Sequence, residues 1–449
     1  MSSQPPEPDA PEKRSLKALA LRAASWTVGG QALAQGLRLL SNIILARLLF
    51  PEAFGLMAIV WVFMYGLNMF SDLGVGPSIV YNRHGEEPQF LNTAWTIQVI
   101  RGVLITLGAA LLAWPVSEIY DAPELFSLLA ATGCVGLIQG FDSTAIHTQQ
   151  RQLELGPVIR IEVISQLVTI VVMVIWALLI PTVWALVGGT LVGTVVRTIL
   201  SHFYLPRFPH RLQWDAKAAK AIYSYGSWIF LSSIFTFIGV QGDRLLLGYY
   251  LPIATLGVYS VATRFSDAIT NLQTRLAHSV FFPLFSETAR SEPELLVGRY
   301  YRIRLWMDLL FLSASGLLAS TGHVLIDVLY DERYVEAGWI LQALAIQVGM
   351  SAVLTSEETL LFSLGKTYYS FARSFARALW IVAGIPLSWH FGGLRGVVLC
   401  VAFSELPVLA VIWVGMVKQN ALRPLLELRS LLIWGASFSV GLLLEAAIG

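Results

Sequence analysis

The run Val163–Ile180 reads VISQLVTIVVMVIWALLI and contains no charged residue. A helix of about 20 such residues crosses a hydrocarbon core of about 30 Å. Leu310–Leu318 lies inside a second run of the same kind. Working outward from these, the whole 449-residue chain is 56% hydrophobic and only 13% charged. A soluble domain carries about 25% charged residues, so this chain lacks the polar groups to cover a soluble surface. Its two cysteines, Cys134 and Cys400, sit in apolar runs, which excludes a disulfide scaffold. An aromatic content of 12% excludes intrinsic disorder. The remaining class is an all-α polytopic membrane protein.

Hydropathy divides the chain into roughly thirteen spans of about 20 residues. They fall at 23–46, 53–74, 92–114, 122–142, 159–180, 183–203, 221–242, 254–279, 305–328, 337–360, 368–388, 392–417 and 428–448. Pro51, Pro115, Pro181 and Pro252 stand where one span gives way to the next, as expected of a residue that breaks the interior helix ladder. The opening MSSQPPEPDAPE has no apolar periodicity and reads as a disordered tail rather than a cleavable signal peptide. With that tail in the cytoplasm, most of the 30 Lys and Arg residues fall in cytoplasmic segments, among them Arg151, Arg207, Lys217, Arg304, Lys366 and Arg429. The opposite side receives Arg47, Arg244, Arg333 and Arg395. This is the positive-inside distribution. An odd number of crossings leaves the C-terminus outside, so either a fourteenth helix or a tail follows Gly449, or one of the thirteen spans is misassigned.

Two stretches look like copies of one unit. SNIILARLLFPEAFGLMAIVWVF starts at Ser41 and GDRLLLGYYLPIATLGVYSVATRF at Gly242. Each ends a polar-spiked helix on an aliphatic run, places a proline (Pro51, Pro252) before a glycine (Gly55, Gly257), and enters the next span. An even number of spans separates them, so they are parallel repeats about an axis along the membrane normal. The expected organisation is an N-terminal lobe at 1–214, a C-terminal lobe at 215–417, each of six helices, and an additional helix at 418–449.

Ionisable residues inside spans are costly and face protein or a hydrated cavity. The basic ones are Arg38, Arg101, Arg197, Arg264, Arg275, Arg373 and Arg377; the acidic ones are Asp72, Asp142, Asp267, Asp308, Glu357, Glu358 and Glu405. In the first span, Gln31, Gln35, Arg38 and Asn42 are spaced to share one helix face. They line a central cavity or, on the plainer reading, a helix-packing seam. The eighth span repeats the pattern with Arg264, Asp267, Asn271, Thr274, Arg275 and His278; Arg264 and Asp267 are also spaced to pair with each other. Arginines on facing inner surfaces make an electropositive hollow, and guanidinium geometry suits phosphate. Asp72, ahead of Gly74 and Gly76, marks a hinge or a helix end. Asp243 and Arg244 are a gate pair or an interfacial salt bridge. Glu357 and Glu358, on different faces, serve coupling singly if at all.

Enzyme chemistry has little support. Gly188, Gly189 and Gly193 lack the lysine of a Walker A loop, and there is no His-Glu-x-x-His run. Histidines such as His147, His202 and His390 are dispersed. The basic residues Arg207, Arg211, Lys217 and Lys220 read as an inner-face patch, not as a nucleic-acid site.

With ARLLFPEAFG (Ala46–Gly55), FSDLGVGP (Phe70–Pro77) and the Gly242–Phe265 stretch in this order, the chain resembles the Wzx-type oligosaccharide flippases. These are the polysaccharide transport branch of the multidrug/oligosaccharidyl-lipid/polysaccharide exporter superfamily; lipid II flippases are more distant relatives. The resemblance covers about residues 20–445. It implies a monomeric V-shaped carrier of the bacterial inner membrane that moves undecaprenyl-diphosphate-linked oligosaccharide by alternating access, beside a polysaccharide polymerase and export machinery. It implies no resident cofactor, and coupling to sodium, protons or the membrane potential. By position in such carriers, Arg38 and Arg264 bind the diphosphate, with Arg101 and Arg47 secondary. A cation-coupled drug antiporter of the same superfamily is the alternative; short loops disfavour a membrane glycosyltransferase, and the number of intramembrane charges disfavours a purely structural role.

Overall fold

The computed structural model describes residues 16–206 and 208–448, so the N-terminal tail lies outside the described residues. The helices are α1 (Leu16–Leu48), α2 (Pro51–Phe70), α3 (Val75–Tyr81), α4 (Pro88–Ile119), α5 (Glu124–Gly140), α6 (Ala145–Arg151), α7 (Leu155–Leu179) and α8 (Trp184–Phe203). They continue as α9 (Ala216–Tyr250), α10 (Ile253–Leu276), α11 (Phe282–Ser291), α12 (Leu296–Met307), α13 (Ser313–Leu329), α14 (Glu336–Ser363), α15 (Tyr368–Ala402), α16 (Leu406–Lys418) and α17 (Pro424–Ile448). Short π-helical turns join α10 to α11 and α12 to α13.

Each expected span falls on one helical stretch except 392–417, which is divided between the end of α15 and α16 by a turn at 403–405. Among the described residues, eight helical stretches are long and apolar enough to cross a membrane, or nine if α5 and α6, bent by 61°, count as one. The chain is an all-α polytopic membrane protein. α1 and α10 fall short of that apolarity because they carry the intramembrane polar residues singled out above. Two boundaries differ from expectation. α4 runs on through Pro115 to Ile119, whereas the break expected between 388 and 392 falls at Gly393, where φ is +53°.

The largest core joins α2, α5, α10 and α14, with Leu49, Ile59, Leu125, Tyr259 and Leu341 almost wholly buried. At its edge the two stretches read above as copies of one unit meet. A side chain at Gly55 would run into the Ile253 carbonyl, and one at Gly257 into the Pro51 carbonyl. Pro51 opens α2 and Ile253 opens α10, so the two helix starts clasp each other through equivalent atoms. Only glycine permits backbones this close. Beyond α2, Asp72 accepts a hydrogen bond from the Gly74 N–H (2.9 Å), and Gly74 adopts φ +69°. The helix stops there and the chain re-enters as α3.

Candidate functional site

α1 packs against α7 and α10, which places the two polar stripes side by side. Arg38 lies in the fields of Arg275 and of Glu162 from α7. Arg264 lies in the fields of Asp267, Arg244, Tyr330 and Arg38. The side chains of Arg38, Arg264 and Arg275 are exposed. None has an ion pair or a side-chain hydrogen bond among the described residues. Arg38, Arg264, Arg275 and Arg244 outnumber the nearby carboxylates of Glu162 and Asp267, so positive charge is in excess on this surface. Gln31 and Gln35 are half-buried on the same stripe, and Asn271 is exposed beside Arg275.

Other arginines of the helical bundle are occupied. Arg101 donates to the Asn68 and Ser71 carbonyls at 2.8 and 3.1 Å, capping the end of α2. Arg197 pairs with Asp142 at 3.4 Å. Arg373 pairs with Glu358, and Arg377 with Glu405 at 2.9 Å. The pairing that spacing allowed between Arg264 and Asp267 is not formed; Asp267 takes Arg244 instead, at 2.6 Å. Asp243 and Arg244 do not pair either. Asp243 accepts from the Tyr259 hydroxyl at 2.6 Å, because successive residues of α9 face different neighbours. For the same reason Glu357 and Glu358 part company, Glu358 turning to Arg373 and Glu357 to Arg304. Arg304, assigned by sequence to a cytoplasmic segment, is 1% exposed.

Arg101 and Asp72 border a separate polar cavity of about 280 Å³, together with Gln98, Asp142, His147 and Arg197. Beside it, His210 accepts from the Thr144 N–H at 3.2 Å. Burial, helped by the charge of His202, pushes the His210 imidazole down to about 4, which keeps it neutral and able to accept. Among the described residues no group of acidic, histidine or cysteine side chains is placed to hold a metal ion.

Asn42, one turn beyond Arg38 on α1, stays beside the free arginines through Tyr330, whereas Arg47 lies at the end of the helix. Arg47 donates to the Leu329 carbonyl (3.1 Å) at the end of α13. In return Arg333, just after α13, donates to the Ala46 and Leu49 carbonyls (3.0 and 3.1 Å) at the end of α1. Each helix C-terminus is thus capped by a cation from the other. Asp331 fixes the Arg333 guanidinium, and that hydrogen bond holds the Asp331 carboxyl below its ordinary range. Asn42 accepts from the Tyr330 hydroxyl at 2.8 Å, and Phe54 meets Tyr334 edge-on at 6.2 Å. Sequence reasoning missed Tyr330, Arg333 and Tyr334, which carry no periodic signal.

A profile of the family described as "Polysaccharide biosynthesis protein" matches residues 44–338. The succinoglycan biosynthesis transport protein ExoT of Rhizobium meliloti (strain 1021) is 24% identical over 330 residues, 73% of this chain and 66% of that protein. The lipopolysaccharide biosynthesis protein WzxC of Escherichia coli (strain K12) is 21% identical over 386 residues, 86% of this chain and 78% of that protein. Among solved structures, the fold is similar to the lipid II flippase MurJ in its inward closed conformation. The TM-score is 0.76 at 11% identity, covering 95% of this chain and 93% of that one. It is also similar to an inward-facing multidrug resistance MATE family transporter of the MOP superfamily (TM-score 0.69, 15% identity, 87% and 95% covered). The chain belongs to the family described as "Polysaccharide biosynthesis protein", and its fold is that of the MurJ and MATE transporters.

Proposed function

We propose that this protein carries an undecaprenyl-diphosphate-linked oligosaccharide from the cytoplasmic to the periplasmic leaflet of the bacterial inner membrane. Arg38, Arg264 and Arg275 take the diphosphate, with Gln31, Gln35 and Asn271 meeting the glycan. The observation that carries this reading is the contrast in charge. Three arginines of α1 and α10 stand free, while Arg101, Arg197, Arg244, Arg304, Arg373 and Arg377 are each engaged. An unpaired cation inside a membrane protein calls for a substrate anion, and diphosphate offers bidentate acceptors to guanidinium groups. A cation-exporting antiporter would be poorly served by a positive surface. The names of ExoT and WzxC, which place those relatives in polysaccharide pathways, point the same way.

Transport is by alternating access between two lobes, 1–214 and 215–417, with 418–449 added, the N-terminus in the cytoplasm and a monomer as the working unit. The reciprocal Gly55–Ile253 and Gly257–Pro51 contacts support the pseudo-two-fold relation. The crossed Arg47 and Arg333 caps support closure at the outer end. The glycan enters from the cytoplasmic side, the lobes rock, and the polymerase and export machinery receive it outside.

The test is complementation of a strain lacking the protein, scored by exported glycan, inner-leaflet lipid-linked glycan and protein abundance. A charge-assisted hydrogen bond is worth about 1.5–3 kcal/mol, so Arg38→Ala or Arg264→Ala should weaken capture by roughly 10- to 150-fold. Export falls and lipid-linked glycan accumulates at normal abundance. Full export by both variants removes these arginines from the site.

A further inference from the structure

A second concentration of charge is buried where α12, α14 and α17 meet. Arg304 is its centre. Its guanidinium donates to both oxygens of Glu427 (2.7 and 2.5 Å), to one oxygen of Glu357 (3.2 Å) and to the Tyr300 hydroxyl (3.1 Å). Its Nε lies 3.5 Å from Asp308. Arg429 approaches the same oxygen of Asp308, Oδ2, at 3.9 Å. Tyr301 donates to Glu427 (2.8 Å), and Ser430 donates to Asp308 (2.7 Å). Trp413 of α16 completes the wall beside Glu357.

The charges do not balance. Arg304 and Arg429 stand against Asp308, Glu357 and Glu427, leaving one negative charge in excess. The neighbouring network is different, for Arg373 and Arg377 match Glu358 and Glu405. An uncompensated charge in a dry interior costs several kcal/mol, so a cation must join the first cluster. The carboxylates also differ in how they are served. Glu427 has both oxygens occupied and Asp308 has a serine and two guanidinium groups. Glu357 is 0% exposed, and its Oε2 has no hydrogen-bond partner. Glu357 and Glu427 converge on one nitrogen of Arg304 (3.2 and 2.7 Å), and two carboxylates brought together in a dry interior are relieved of their repulsion when one of them takes a proton. A metal ion is a poor alternative, since the guanidinium of Arg304 already fills the point on which the carboxylates converge.

We infer that Glu357, held against Glu427 and Arg304, is a proton-binding site, and that its proton is the ion exchanged in the transport cycle. The second half of this statement rests on the transport reading above; the first half does not. Protonation forms one O–H bond on Glu357, which donates to Glu427 and brings the cluster to neutrality; release restores the excess charge. Glu427 lies in the first turn of α17, so the path from the site to one end of the bundle is short.

The test is infrared spectroscopy of the full chain in lipid nanodiscs at neutral pH, read in the carbonyl stretch of a protonated carboxylic acid. The wild-type protein shows such a band, shifted in D₂O. Glu357→Gln loses it. Glu427→Gln loses it as well, because removing either acid leaves Arg304 and Arg429 matched by two carboxylates; this variant keeps the test decisive if Glu357→Gln fails to fold. Glu358→Gln retains the band. A wild-type spectrum without the band, or a band that survives in both Glu357→Gln and Glu427→Gln, overturns the site. If the band behaves as stated but export by Glu357→Gln keeps the wild-type response to external pH, the proton site stands and its coupling role is lost.

Discussion

Replacing Arg333 by alanine removes three hydrogen bonds that cross from the turn after α13 to the end of α1, onto the carbonyls of Ala46 (3.0 Å), Arg47 (3.3 Å) and Leu49 (3.1 Å). It also removes the guanidinium from above the Phe50 ring, 5.4 Å away. The side chain is 32% exposed, so water competes for each of these bonds and replaces part of what is lost. A charged hydrogen bond is worth about 1.5–3 kcal/mol when well shielded, and the set in this half-wet position contributes about 1–3 kcal/mol. On the proposed alternating-access reading all of it belongs to the closed state, because the contacts cannot survive separation of α1 from α13. An open population of about 1% would therefore rise roughly 5- to 150-fold relative to the closed one. The assay is pulsed electron resonance between spin labels at Glu52→Cys and Glu332→Cys, both exposed, with Cys134 and Cys400 replaced by alanine. In lipid, the Arg333→Ala protein should gain a longer distance component at the expense of the short one. An unchanged distribution, with thermal stability also unchanged, would show that these caps carry no weight in closure.

Gly257→Ala should have the same sense by a different route, since its methyl group meets the Pro51 carbonyl across the repeat contact. Overpacking of this kind costs about 1–3 kcal/mol, visible as a longer distance between the same labels, and Gly55→Ala should match it. His210 predicts a pH effect. Its neutral imidazole accepts from the Thr144 N–H, and burial depresses it from the ordinary 6.5 to about 4. The folded state then binds fewer protons than the unfolded one, so the contribution is full above about 6.5 and fades as pH falls towards about 4. Hydrogen exchange at the Thr144 amide should quicken through that window, and His210→Gln should flatten the response.

Several features were legible because they depend on order along the chain. Periodicity placed Gln31, Gln35 and Arg38 on one face of α1, and Arg264, Asn271 and Arg275 on one face of α10. Hydropathy placed each span on a helical stretch except 392–417, which is split between α15 and α16. The glycine after Asp72 marked the end of α2, where Gly74 turns to φ +69°. Arg304 was misread because counting charges in segments between hydropathy peaks puts a basic residue near a helix start outside. Its spacing from Tyr300 and Asp308, four residues on either side, was the signal that its own helix turns all three inward.

The sequence by itself therefore determined the membrane class, the helices and the polar faces, since burial in hydrocarbon acts on each helix separately and leaves its mark in composition and period. Only the tertiary structure decided which charge answers which. Asp267 meets Arg244 and not its near neighbour Arg264, Glu357 meets Arg304 and Glu427 from helices far away in the chain, and Arg333 caps the end of α1. Coulomb attraction and hydrogen bonds depend on separation in space, and spacing along the chain does not specify how helices distant in sequence are set against one another.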